Sequence, residues 1–140
     1  MPAHQSDERP AVAAMLEADE ASRALGIEVL EVHEGSARAR MTIRPDMVNG
    51  HGIAHGGFVF SLADTAFACA CNSFGPPTVA SGAEIVFVAP ARTGDTLTAT
   101  AAVRTRFGRS GIYDVTVRHD EAVVAEFRGR SRELAPGAPS

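Results

Sequence analysis

The chain has 140 residues, 45% of them apolar and 21% charged, with a formal net charge of -4. That length holds one domain with a real core, and the acidic balance argues against a nucleic-acid or anionic-membrane surface, either of which wants a basic excess. All 13 basic residues are arginines, so chemistry that needs a lysine amine, Schiff-base and pyridoxal chemistry included, is excluded.

Residues 1–10 are polar and read as a flexible N-terminus, residues 11–134 as a single domain, and residues 135–140, rich in proline, glycine and serine, as a flexible tail. The N-terminal region lacks the continuous apolar stretch of a secretory signal, and nowhere do about 18 apolar residues run uninterrupted, so a cytoplasmic protein away from membranes is expected. Residues 11–25 contain good helix formers and stop at Gly26, which predicts one short helix. Residues 27–34 and 36–43 read as two strands joined across Glu34-Gly35. In the second, Ala37, Ala39 and Met41 alternate with Arg38, Arg40 and Thr42, the period of a half-buried strand. Residues 44–57 form a glycine-rich loop with two histidines. Residues 58–72, free of glycine and proline, predict a helix apolar nearly all round and therefore buried on most sides.

Strands follow at 78–89, 96–106, 112–118 and 122–132, separated by turns at 93–95, 107–111 and 119–121. Cys69 and Cys71 project about 200° apart on a helix and read as buried structural thiols. A single apolar helix among about six antiparallel strands has one economical packing, in which the sheet curls around the helix. The predicted class is α+β, with the hotdog arrangement and a short N-terminal helix beside it.

Chemistry concentrates in Asn49-Gly50-His51-Gly52-Ile53-Ala54-His55-Gly56-Gly57 and the helix behind it. Gly56 and Gly57 stand where loop becomes helix. The first amides of a helix lack intrahelical acceptors and carry the positive end of its dipole, and without a Cβ a carbonyl oxygen can approach them closely. That suits the oxyanion formed when a thioester is attacked, although tight packing would by itself explain a Gly-Gly pair. Asp64 sits among Leu62, Ala63, Ala66, Phe67 and Ala68. Desolvation there raises its proton affinity toward that of a general base or a nucleophile; the alternative is an aspartate turned to solvent. Seven residues separate Gly57 from Asp64, so they share a helix face but lie about 10 Å apart along the axis. One carbonyl cannot reach both within a chain, and shared sites in at least a dimer are expected. His55 can donate toward the thioester and Asn49 can position water or the aspartate; either can equally brace the loop. No His-Glu-x-x-His or Gly-x-Ser-x-Gly motif occurs, so neither a metal centre nor a hydrolase elbow is expected. In residues 104–111, Arg104, Arg106 and Arg109 stand among small residues such as Ser110 and Gly111. Arginine forks match CoA phosphates, and a solvated hairpin fits the same pattern.

This block, together with Ala70-Cys71-Asn72-Ser73, Val79-Ala80-Ser81, Gly94-Asp95-Thr96-Leu97, Gly111-Ile112-Tyr113-Asp114 and Phe127-Arg128-Gly129, closely resembles the phenylacetyl-CoA thioesterase (PaaI-like) family of hotdog proteins over residues 28–132. The resemblance implies hydrolysis of phenylacetyl-CoA and its ring-hydroxylated forms in aerobic phenylacetate degradation. It makes Asp64 the catalytic carboxylate, Gly56 the oxyanion amide, and His55 and Asn49 the polarising and positioning residues. Substrate contacts are expected at Gly57, Thr65, Ser81, Arg104, Arg109, Ser110 and Gly111. A homotetramer, a dimer of hotdog dimers with sites at subunit interfaces, is also implied, with CoA entering only as part of the substrate and no cofactor or metal. Some related thioesterases carry a threonine one turn after the acid; here that position is Ala68, so a water-holding hydroxyl has to come from elsewhere, with Thr65 the one nearby. Two other readings compete. A hotdog (MaoC-like) enoyl-CoA hydratase would use the loose set Asp46, Asn49 and His51 and leave Asp64 unexplained. A non-catalytic acyl-CoA-binding module would bind without turnover.

Overall fold

The structure is a computed structural model that describes residues 9–135. Residues 11–25 form two helices rather than one, α1 (Pro10–Glu17) and α2 (Glu20–Ala24). The break has a local cause. The Asp19 carboxylate accepts the Ser22 N–H at 3.0 Å and the Ser22 hydroxyl at 2.6 Å, and a carboxylate that captures the amides ahead of it starts a new helix instead of continuing the old one. Two residues expected in the flexible N-terminus are also placed: Pro10 opens α1, where its missing N–H is no loss, and the Arg9 guanidinium donates to the Ser73 carbonyl at 2.6 Å. Expectations for residues 1–8 and 136–140 lie outside the described residues.

Six strands follow: β1 (Glu28–His33), β2 (Ser36–Thr42), β3 (Thr78–Phe87), β4 (Thr96–Phe107), β5 (Ser110–His119) and β6 (Ala122–Glu133). They form one antiparallel sheet in the order β1-β2-β4-β5-β6-β3. The alternation is as expected: Ala37, Ala39 and Met41 of β2 and Tyr113, Val115 and Val117 of β5 are buried. The turn between β4 and β5 is tighter than residues 107–111. It consists of Gly108 and Arg109, while Ser110 and Gly111 already belong to β5, paired with Phe107 and Arg106.

The inward faces wrap α3 (Gly56–Asn72), on which Leu62, Ala63, Ala66, Phe67, Cys69 and Ala70 are buried. An element apolar on nearly every side can be covered only by a sheet that curves around it, which is the hotdog arrangement. Phe67 is its centre: the ring lies 5.4 Å from Tyr113 and 5.7 Å from Phe127. Gly129 passes so close beneath that a Cβ there would stand 2.8 Å from the ring. The far end of α3 is tied by side chains, since Asn72 accepts the Thr78 N–H at 2.9 Å and donates to the Thr78 carbonyl at 3.0 Å. Cys69 and Cys71 are free and buried. Among the described residues no helix is long and apolar enough to cross a membrane.

Candidate active site

The loop before α3 is held by Asn49 and His55. Asn49 Oδ1 accepts the amides of His51 at 2.9 Å and Ile53 at 3.2 Å, which closes the loop on itself and leaves the Asn49 NH2 group without an acceptor among the described residues. His55 is the N-cap of α3, and its Nδ1 accepts the Gly57 N–H at 3.2 Å. In the neutral ring this puts the proton on Nε2, so His55 both braces the helix start and keeps a donor pointing outward. The Gly57 amide, expected to face substrate, is thereby occupied. The next amide is occupied too, because Phe58 N–H donates to the His55 carbonyl at 3.0 Å. The Gly56 N–H has no acceptor among the described residues, and it alone of the three stands free at the positive end of the helix. Gly56 and Asn49 line one cleft of about 370 Å³, together with Ile53, Val59, Phe87 and Val88. The Phe87 ring lies so close over Gly56 that a Cβ would stand 2.7 Å from its Cζ.

Asp64 opens into a different cleft, of about 260 Å³, lined by Asp19, Ser22, Leu25, Phe60, Thr65 and Ala68. It is half-buried, and its proton affinity is raised, first by desolvation and then by the Asp19 carboxylate. Among the described residues no arginine or histidine lines this cleft, so nothing there offsets the cost of the charge. Such a group holds a proton more tightly than an ordinary aspartate, the direction a general base needs. The Thr65 hydroxyl lies 3.0 Å from the Ser61 carbonyl and 2.8 Å from the Ser22 hydroxyl, so its one proton is held within the chain and toward water it acts as an acceptor. Because α3 is unbroken, the eight residues from Gly56 to Asp64 span about 12 Å, and the free amide and the carboxylate face separate clefts.

The remaining expected contacts are dispersed. Ser81 is the unpaired residue of a bulge between Ala80 and Gly82 on β3, and its hydroxyl donates to the Arg130 carbonyl at 3.2 Å. Bulges re-aim side chains beside functional sites. Arg104 is likewise the extra residue of a bulge on β4, 3.8 Å from Asp114. Arg109 is exposed at the hairpin tip, Ser110 half-buried and Gly111 buried. A Cβ at Gly111 would stand 2.9 Å from both Ser131 and Tyr113, so packing by itself requires a glycine there. Arg106 stacks 3.6 Å over the Phe74 ring, which places this hairpin at the C-terminal end of α3, opposite Gly56. The set expected of a hydratase does not assemble, since Asp46 is paired with Arg44 at 3.0 Å and Asn49 Oδ1 is spent on backbone amides. Among the described residues no three His, Cys, Asp or Glu side chains gather as a metal site. Sequence reasoning missed Asp19, Ser22, Phe60 and Phe87 as lining residues. Only Asp19 had a local signal, an N-cap residue inside an apparent helix.

The sequence profile of the thioesterase superfamily matches residues 51–126. The acyl-coenzyme A thioesterase PaaI of Escherichia coli (strain K12) is 49% identical over 122 residues, 86% of this chain and 87% of that protein. The solved E. coli PaaI protein, from the phenylacetic acid degradation operon, superposes with a TM-score of 0.87 at 47% identity, over 89% of this chain and 91% of its own. A solved phenylacetic acid degradation protein PaaI from Thermus thermophilus gives a TM-score of 0.80 at 36% identity, over 83% of this chain and 100% of its own. With a buried central helix, a free amide at its start and a lone half-buried carboxylate along it, the chain belongs to the thioesterase superfamily, as a PaaI-like thioester hydrolase of the hotdog fold.

Proposed function

We propose that the chain hydrolyses aryl-acyl-CoA thioesters, phenylacetyl-CoA or its ring-hydroxylated forms, to the free acid and CoA, with Asp64 as general base or nucleophile. The observation that carries this reading is the Asp64 cleft: a carboxylate half-desolvated beside the apolar walls of Leu25, Phe60 and Ala68, with Asp19 as its charged neighbour and no cation lining the cleft among the described residues. A flat apolar acyl group fits such walls, and the thioester carbonyl would lie against the acid. The name and operon of the E. coli relative point to the same substrate class.

Two copies complete the site in this proposal. The Gly56 amide of one chain would receive the oxyanion while Asp64 of another attacks or activates water, with His55 Nε2 and the Asn49 NH2 group as further donors. β3 supports the pairing. It is an edge strand whose outer backbone lacks a strand partner among the described residues. Val79, Val86 and Phe87 along it are exposed, as is Val88 just beyond, and Phe87 borders the Gly56 cleft. An exposed apolar edge calls for a second strand, which would bring a second chain to that cleft. A dimer of such dimers, working in the cytoplasm without cofactor or metal, is the expected assembly. Arg104 and Arg109 would meet the CoA phosphates from a neighbouring chain.

The test is CoA release from phenylacetyl-, hydroxyphenylacetyl-, benzoyl- and straight-chain acyl-CoAs by the parent and by Asp64→Asn. Aryl substrates are expected to lead, and the variant to lose at least about two decades of rate while still binding. Parent-like turnover in Asp64→Asn overturns the role of Asp64. Faster hydration of crotonyl-CoA than thioester cleavage overturns the reaction class. Asp64→Asn and His55→Ala chains, each inactive alone, should regain activity when co-assembled, and no regain would speak against a two-chain site.

A further inference from the structure

Among the described residues, Asp19 is the one charged side chain that shares the cleft with Asp64. It is there because the helical stretch at the N-terminus breaks. As the N-cap of α2, Asp19 holds the Ser22 hydroxyl at 2.6 Å, Ser22 meets the Thr65 hydroxyl at 2.8 Å, and the Thr65 hydroxyl lies 3.0 Å from the Ser61 carbonyl. Ser22 and Thr65 are both buried. Each hydroxyl has one proton: Ser22 donates to Asp19, and Thr65 turns its own either to Ser22 or to the Ser61 carbonyl, so with the former a row of hydrogen bonds runs from one carboxylate, through Ser22, to the residue beside the other carboxylate. The energetic logic is unusual for a mere cap. Any neutral cap, serine or asparagine, would start α2 equally well, whereas an aspartate places a second negative charge beside an acid that burial already disfavours.

We propose that Asp19 is a positioning residue for Asp64: its carboxylate, anchored through Ser22 and Thr65 to the turn of α3 that bears the acid, sets the pH at which Asp64 loses its proton. This deepens the thioesterase reading and rests on it for its catalytic consequence. The ionisable groups facing Asp64 are few. Asp19 sits at the N-cap of α2, and on α3 the Cys71 thiol feels Asp64 while the Cys69 thiol feels Asp19; both thiols, pushed up to about 12 by burial, are neutral at working pH. α1 brings none to this cleft. With no arginine or histidine lining the cleft among the described residues, the charge of Asp19 acts on Asp64 in one direction, toward retaining the proton. A base that holds its proton more tightly is also a stronger base once ionised.

Asp19→Asn keeps the cap and removes the charge; Asp19→Ser does the same with a shorter side chain, in case the first variant folds poorly. In each, the acid limb of the pH profile of kcat/KM is expected to move to lower pH, by on the order of half a unit for like charges across a partly wet cleft. Ser22→Ala, which keeps the charge and cuts the anchor, should shift it less. The Asp64 carboxyl is followed independently by its 13Cγ shift in a pH titration, assigned with Asp64→Asn, and should move with the profile. Titration curves that superimpose in parent and in both neutral variants overturn the proposal and leave Asp19 a helix cap only. If the NMR titration shifts while Asp64→Asn turns over like the parent, the coupling stands and the thioesterase role of Asp64 fails, so the two failures are distinguishable.

Discussion

Alanine at position 56 separates the two reasons for a glycine at the start of α3. Gly56 is not among the positive-φ positions, so alanine meets no backbone strain, and in the first turn it favours the helix by at most roughly 0.5–1 kcal/mol. Against this, the new Cβ would stand 2.7 Å from Phe87 Cζ and 3.1 and 3.2 Å from its two Cε atoms, where ordinary contact starts at 3.4 Å. The ring has to retreat by about 0.7 Å, well within the reach of a side-chain rotation. Phe87 is 53% exposed on the edge strand of the single chain, so its ring can shift there for less than the roughly 1–3 kcal/mol of overpacking a closed core, and a second chain laid along that edge brings the cost to the upper end of that range at most. Where the edge is open the two terms oppose each other and nearly cancel, and a melting temperature within about 3 °C of the parent is expected. Activity has no such cancellation. A methyl group beside the one free amide keeps a carbonyl oxygen from reaching it, and outright loss of an oxyanion donor costs about 2.7–4 kcal/mol. A partial block predicts a fall in kcat/KM of roughly 10- to 100-fold, about 1.4–2.7 kcal/mol. Release of CoA from phenylacetyl-CoA measures it, with thermal melts alongside. Gly57→Ala is the internal comparison. Its Cβ meets only His55, no nearer than 3.4 Å, its amide is already capped, and its kcat/KM should stay within about threefold of the parent. Parent-like activity in Gly56→Ala, or equal losses in the two variants, would refute the assignment of the Gly56 amide.

Two further outcomes follow from the ionisable groups on α3. Because Asp64 binds its proton more tightly in the folded chain than at the ordinary aspartate value of 3.8, the folded state holds more protons than the unfolded one just above that pH. Stability attributable to this group is therefore intact below about 3.8 and is lost as pH rises through the folded value. Asp64→Asn should match the parent in acid and exceed it in urea midpoint near neutrality; a difference that shrinks with rising pH would contradict the desolvation reading. The buried thiols of Cys69 and Cys71, pushed up to about 12, should resist a disulfide reagent at about pH 8 in the native protein and both react after unfolding. Rapid labelling of the native chain would show that α3 is not closed by the sheet.

Much of the architecture was local enough to read from the chain. The unbroken apolar run of α3 and the two-residue alternation of Ala37, Ala39 and Met41 state which faces are buried, and burial of one all-apolar helix leaves few arrangements of six strands. The position of Gly56 at a helix start and of Asp64 two turns further along was legible for the same reason, since helical spacing is fixed by the backbone. Residue spacing did not say which amide remains free, because that depends on the rotamer by which His55 turns back to cap Gly57; only the family resemblance pointed to Gly56. Nor did spacing show the bulge that leaves Ser81 outside the ladder, which is set by the register of β3 against β6.

The break before α2 shows the division most clearly. Helix propensity over residues 11–25 favours continuity, and a sequence window sees only that average. The decision falls to the Asp19 and Ser22 side chains together with Thr65, 43 positions after Ser22, whose hydroxyl lies 2.8 Å from that of Ser22. By itself the sequence determined a buried helix carrying one acid and a glycine start, because those follow from periodicity and backbone geometry. Only the tertiary structure decided what faces that acid, because contacts between distant segments are chosen by packing and by the pairing of buried polar groups, and neither is recorded in local spacing.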